Sequence, residues 1–63
     1  MKQAAFHEIL NPTHNKYLDA EDYDAVEDFG TGHSAIRLKS SDQPVLVNES
    51  PDEVVKIIEQ ALN

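Results

Sequence analysis

The clearest pattern of apolar and polar positions lies near the C-terminal end of the chain. Residues 51–62 repeat apolar side chains at helical spacing, and the polar side chains fall on the opposite side. The members of this apolar face are Val54, Ile57, Ile58, Ala61 and Leu62. A helix of this length is too short to be stable by itself in water. The apolar face must therefore pack against the rest of the chain.

Three residues mark the start of this helix. Ser50 is a favourable N-cap, because its hydroxyl can accept from a first-turn N–H that has no helical partner. Pro51 suits the first helical position, where a missing N–H costs nothing. Glu53 completes a capping box with Ser50. We therefore predict a helix over residues 51–62.

Period-two alternation before the helix predicts short strands. Residues 34–39 alternate cleanly, with Ser34, Ile36 and Leu38 on one side. Residues 44–47 begin with proline and continue with apolar residues. The first position of a strand tolerates proline, so this segment is a second candidate strand. We expect these two strands to pair antiparallel.

The N-terminal half has weaker signals of the same kind. Residues 4–10 and 16–18 indicate two extended runs, and residues 11–15 between them have the composition of a turn. Residues 29–33 contain two glycines, which adopt positive φ angles without strain, and predict a tight reversal.

Residues 19–30 fit two structures. As a helix, the segment has Asp19 as its N-cap and further acidic residues in its first turn. As a strand over residues 23–29, it places Tyr23 and Ala25 on one face. Local propensity favours the helix slightly, because Asp and Glu are poor strand residues.

The size of the chain limits its stability. Its 63 residues predict one domain, and a chain this small buries only about 60% of its extended surface. It has no cysteine, which removes disulfides and thiolate zinc sites. Such a chain must pack well or self-associate, and we expect a homodimer or higher oligomer. In an alternative interpretation of the helix face, Val55 and Leu62 at its edge form part of a dimer interface.

The charge balance excludes several classes of function. Twelve acidic residues against five basic ones give a formal net charge of −7. Direct binding to nucleic acid requires a basic surface, so it is not expected. No apolar run approaches the roughly 20 residues of a membrane span, and the N-terminus lacks a secretory signal. We expect a cytoplasmic protein with a protein partner and no membrane partner.

Four segments of the chain resemble the FlbD/SwrD-like small proteins, which are found beside flagellar genes and in phage-type genomes. These segments are Lys-Tyr-Leu-Asp at 16–19, Tyr23 to Glu27, Ile-Arg-Leu at 36–38, and the stretch 45–54. The resemblance implies that residues 23–28 form a strand, against the local helix signal. It also implies a role in motility or regulation without catalysis.

Together these patterns predict an α+β fold. We expect a small antiparallel sheet of four to five short strands, residues 4–47, with the C-terminal helix packed on one face.

Half of the acidic residues lie between positions 19 and 28. They form either a solvated face that discourages pairing between strand edges or a docking face for a basic partner. The residues of the docking face would be Asp22, Asp24 and Asp28, with Tyr23 and Phe29 adjacent. The segment lacks the sixth-position glycine and the closing glutamate of an EF-hand.

No constellation of residues points to catalysis or to a cofactor. The three histidines have no metal-binding spacing, and Gly30-Thr31-Gly32 lacks the lysine and the following helix of a phosphate-binding loop. His33 stands beside Ser34, but no third residue is placed to orient the pair. We predict a non-enzymatic module that acts by protein–protein contact, and no metal or cofactor.

A second hypothesis is a phage-type inhibitor of a host system. It would imitate nucleic acid through the three aspartates of the docking face, or sequester a small nucleotide signal at a subunit interface. For the second mode, the candidate anion contacts are Lys16, Arg37 and Lys39. An enzyme is the third and weakest hypothesis, because no pair of residues has the required neighbours.

Overall fold

A computed structural model describes residues 2–63 of the chain. In this part of the chain, five strands precede one helix, which confirms the predicted α+β class. The elements are β1 (Gln3–His7), β2 (Asn15–Asp19), β3 (Tyr23–Asp28), β4 (Ser34–Leu38), β5 (Val45–Val47) and α1 (Pro51–Leu62). A short 3-10 turn, Ala20–Asp22, connects β2 to β3.

The strands form two antiparallel sheets instead of the single sheet expected. One contains β1 and β2, and the other has the order β3-β4-β5. The two meet at one bridge, Glu8 with Val47, in which the Asn48 N–H donates to the His7 carbonyl at 2.8 Å. The sheet divides here because β1 ends at His7 and β5 is only three residues long, so no longer ladder can form.

One hydrophobic core lies between the two sheets and α1. Phe6, Ile36, Val47 and Val54 are completely buried in it. Around them lie Ala4, Leu18, Ala20 and Ile58. Each strand and α1 therefore contributes an apolar face to the same interior, as the alternation of β4 predicts.

The helix predicted over residues 51–62 is confirmed. The Ser50 hydroxyl accepts from the Glu53 N–H at 3.3 Å, and Pro51 occupies the first helical position. Val54 and Ile58 are buried, but Leu62, expected on the same face, is 41% exposed. Leu62 is the last helical residue, and its carbonyl accepts from Lys2 Nζ at 2.8 Å, whereas Ala61 before it packs against the core.

The strand that the resemblance implies over residues 23–28 is confirmed as β3, and the local preference for a helix over residues 19–30 holds only in its first turn. Asp19 is indeed an N-cap, accepting from the Glu21 N–H at 3.0 Å, but the helical turn ends at Asp22. The chain then extends as β3 and pairs with β4. Pairing supplies backbone hydrogen bonds and packs Val26 against the core, which outweighs a weak local propensity.

A bulge in β3 changes the side on which Tyr23 lies. The register shifts between Tyr23 and Ala25, so Tyr23 packs against the core together with Val26. The expectation that Tyr23 shares a face with Ala25 is therefore wrong. A bulge adds one residue to one strand of a pair, which a strict period of two does not anticipate.

The turn between β3 and β4 uses left-handed backbone at three successive residues. Gly30, Thr31 and Gly32 have φ angles of 86°, 51° and 82°. The reversal is closed by hydrogen bonds from the His33 N–H to the Gly30 carbonyl and from the Phe29 N–H to the His33 carbonyl, 3.0 and 2.9 Å long. The predicted role of the glycines as a tight reversal is confirmed.

The N-cap of α1 generates a test of the fold. Ser50→Ala should lower the free energy of unfolding by about 1 kcal/mol, because the Glu53 N–H loses its acceptor. Urea denaturation followed by circular dichroism measures this change. Ser50→Asp is the matched control, since its carboxylate can still accept, and it should stay close to the parent. Equal stability of all three proteins would contradict the role of the cap.

Candidate functional site

An open groove of about 490 Å³ lies beside β5, where the two sheets meet. Its walls come from the end of β1, the start of β2, the end of β3 and β5, and its lining residues are Glu8, Ile9, Leu10, Lys16, Phe29, Pro44, Val45 and Leu46. We call it the β5 groove. None of its lining residues belongs to α1, so the helix leaves this end of the fold open.

Several large apolar side chains of the β5 groove are exposed. Leu10 is 98% exposed, Phe29 57% and Leu46 41%. Leu10 follows the end of β1, Phe29 follows the last residue of β3, and Leu46 lies on β5, paired with Ala35. A contiguous exposed apolar surface on a soluble chain marks an interaction site more often than scattered apolar residues do.

Two opposite charges lie in this apolar lining. They belong to Glu8 and Lys16. Within residues 2–63, neither side chain makes an ion pair or a hydrogen bond, with the other or with a third residue. The lining therefore sums to zero formal charge, in a chain whose net charge is −7.

A buried carboxylate holds one wall of the groove in place. Glu49, between β5 and α1, is 9% exposed. Its Oε1 accepts from the His7 N–H at 3.0 Å, and its Oε2 lies 2.6 Å from His7 Nδ1. The Glu49 carbonyl accepts from the completely buried Ser34 hydroxyl at 2.7 Å. Because His7 directly precedes Glu8, these bonds position the start of the wall relative to β5.

The five residues of the expected docking face have different surroundings. The Asp22 carboxylate accepts from the Ser40 N–H at 3.2 Å and bonds the Ser40 hydroxyl, and Asp28 accepts from the Gly30 N–H at 2.8 Å. Both aspartates thus hold turns, at opposite ends of β3, and Asp24 is exposed at the bulge.

The two aromatic residues of that face are also separated. Tyr23 is half-buried against the core, and Phe29 lines the β5 groove. They stand at the two ends of β3, which an extended chain places about 20 Å apart. Of the five residues, only Phe29 belongs to the groove.

The three candidate anion contacts lie in different places. Lys16 lines the β5 groove. Arg37 Nε lies 2.6 Å from Glu27 Oε1, and both side chains are about half exposed. Lys39 follows β4, in the turn that Asp22 holds. The three side chains therefore have different surroundings and do not line one common anion site.

Among residues 2–63, Tyr23 is the residue whose pKa is shifted from its ordinary value. Burial of its phenol raises the pKa above the ordinary value of 10.0, and the negative charge of Asp24 adds to the rise. The phenol stays protonated at neutral pH, so this shift acts on stability at alkaline pH.

Residues 2–63 contain neither a group of metal ligands nor a membrane-spanning helix. Across residues 2–63, no three His, Cys, Asp or Glu side chains are grouped in a way that could hold a metal ion. The helix of this part of the chain is too short and too polar to cross a membrane.

The sequence patterns did not single out most of the groove. The pattern predicts that Ile9 and Leu10 belong to a strand over residues 4–10, but β1 ends at His7. The signal that points to exposure is the Asn11-Pro12 pair directly after Leu10, because proline cannot donate to a ladder and the residue before it is restricted. An apolar residue at such a boundary has no strand partner to cover it.

Comparison of the chain with protein-family models, with curated proteins and with solved structures finds no significant match. The resemblance to the FlbD/SwrD-like proteins therefore stays a prediction.

The bonds of Glu49 generate a second test. Glu49→Ala should lower the free energy of unfolding by about 2 kcal/mol, because the partly buried bond from the His7 N–H loses its acceptor. Urea denaturation of the parent and the variant measures the loss. Glu59→Ala is the control, because Glu59 is exposed on α1 and its change should stay within about 0.5 kcal/mol. A loss no larger than that of the control would contradict the structural role of Glu49.

The raised pKa of Tyr23 generates a third test. The folded state holds the phenol proton more tightly than the unfolded state does, so this contribution to stability is present below pH 10 and is lost as pH rises through the folded pKa. Urea denaturation at stepped pH values above and below 10 should show the parent losing stability relative to Tyr23→Phe. A difference between the two proteins that does not change with pH would reject the shift.

Proposed function

We propose that this protein is a small non-enzymatic module that acts by protein–protein contact, with the β5 groove as its contact surface. The observation that carries the proposal is the exposure of Leu10, Phe29 and Leu46 around one groove. Burying large apolar side chains is the main favourable term in protein association. A partner that covers the groove removes this apolar surface from water.

The absence of oriented reactive groups in the groove supports the non-enzymatic part of the proposal. Glu8 and Lys16 are the ionisable side chains of its lining, and neither has a hydrogen-bond partner within residues 2–63 that would orient it. General acid–base catalysis requires a positioned group. Nearby, the buried Ser34 hydroxyl donates to a backbone carbonyl and is not placed as a nucleophile.

The biological setting of the proposal rests on the resemblance noted above. A motility or regulatory accessory in the cytoplasm is the leading setting. A phage-type inhibitor is the alternative, and acidic mimicry has less support, because Asp22 and Asp28 are used to hold turns.

Leu10 offers the sharpest test of this function. Its side chain is 98% exposed, so Leu10→Asp should leave the fold intact while placing a charge in the groove. Immobilised parent protein should retain a partner, either other copies of the chain or another protein, and Leu10→Asp should lose it by tenfold or more. Quantitative mass spectrometry of the retained proteins measures the difference.

A matched control separates the groove from general stickiness. Val55 is an exposed apolar residue outside the groove, 40% exposed on α1, and Val55→Gln should retain the partner as the parent does. If parent, Leu10→Asp and Val55→Gln retain the same proteins in the same amounts, the groove is not a contact surface.

A further inference from the structure

We propose that the occupant of the β5 groove is a second copy of this chain, related to the first by a two-fold axis. This inference rests on the proposed function, because it names the partner for the same groove. It also gives the self-association expected from the size of the chain a definite surface.

Charge favours the groove as the place where two copies meet. Each copy carries a formal charge of −7, so most approaches between two copies are repulsive. The lining of the groove carries one acid and one base and sums to zero. Like charges opposed across an interface are costly, so contact at the neutral groove is the least unfavourable approach.

The pair of Glu8 and Lys16 fits a two-fold contact. Their side chains line the same groove but are not within ion-pair distance of each other. In a two-fold interface, if Glu8 of one copy faces Lys16 of the other, the reverse contact forms as well. Two charges without a partner in one copy thereby gain two ion pairs in the dimer.

Leu10 supplies the apolar anchor of this contact. It stands almost fully exposed in the lining of a groove that contains Phe29 and Leu46. The symmetry that pairs the charges also places Leu10 of each copy against the groove of the other. A contact of this kind, an apolar centre with charges around it, is the usual anatomy of an interface.

The position of Lys16 beside Glu8 in the lining also favours a second copy over a basic peptide as the occupant. A basic peptide would be drawn to the acidic segment at residues 19–28, whereas in the groove it would meet the ammonium group of Lys16. A second copy presents Glu8 to this ammonium group instead.

The size of the groove sets the strength of the dimer. A standard interface buries about 800 Å² per partner, which is about a fifth of the 4192 Å² surface of this chain. Eight lining residues are fewer than the roughly 20–30 of such an interface. We therefore expect a weak dimer with a dissociation constant in the micromolar range.

Sedimentation velocity over a concentration series tests the inference. The parent should change from monomer to dimer as its concentration rises through the micromolar range, and Leu10→Asp should weaken the dimer by tenfold or more. Val55→Gln should leave the dissociation constant unchanged. Circular dichroism and melting curves establish that each variant is folded.

A charge exchange tests the two-fold geometry itself. Glu8→Lys and Lys16→Glu should each remove the homodimer, because each creates like charges across the axis. Mixing these two variants should restore a dimer, since every charge contact in the mixed pair is again opposite. This result does not follow from non-specific apolar association, which would be indifferent to the mixing.

Each remaining outcome overturns the inference in an identifiable way. A dimer lost in Val55→Gln but kept in Leu10→Asp would place the seam on the edge of α1. A parent that stays monomeric at every concentration, while retaining another protein through Leu10, would reject the second copy and leave the proposed function standing. A monomer without any partner that depends on Leu10 would reject both.

Discussion

The carboxylate of Glu49 is the contact on which the rest of the structure depends. Within residues 2–63 the two sheets share one bridge, which includes the backbone hydrogen bond from Asn48 to His7. The Glu49 side chain adds two bonds to the backbone and ring of His7. Removing a carboxylate from water is costly unless its oxygens are satisfied. Both are satisfied here, so burial of this residue selects one arrangement of β1 relative to the junction of β5 and α1.

That arrangement closes the core and opens the groove at the same point of the chain. Phe6, one residue before His7, is completely buried, whereas Leu10, three residues after it, is almost fully exposed. β1 cannot extend along β5, because β5 is only three residues long and the chain turns at Pro12. The apolar lining that remains uncovered is therefore a consequence of how the sheets are joined, and it is the surface on which we base a binding function.

Two residues of the candidate site could be predicted from the sequence, but as parts of other sites. Phe29 and Lys16 were singled out, Phe29 for its place beside an acidic segment and Lys16 as a candidate anion contact, yet both line the β5 groove. Leu10 was missed, because a pattern of alternation cannot tell whether a neighbouring strand is long enough to cover a residue. The bulge that turns Tyr23 towards the core was missed too, because it depends on the register with β4.

By itself, the sequence determined the features whose causes are local. The cap at Ser50, the apolar face of α1 and the glycine turn after β3 each depend on residues within a few positions of one another. Only the tertiary structure decided that residues 23–28 form a strand against their local preference for a helix, that the sheet divides in two, and that Leu10 faces solvent. These outcomes depend on partners distant in the chain, whose hydrogen bonds and buried area exceed a local preference of a few tenths of a kcal/mol per residue.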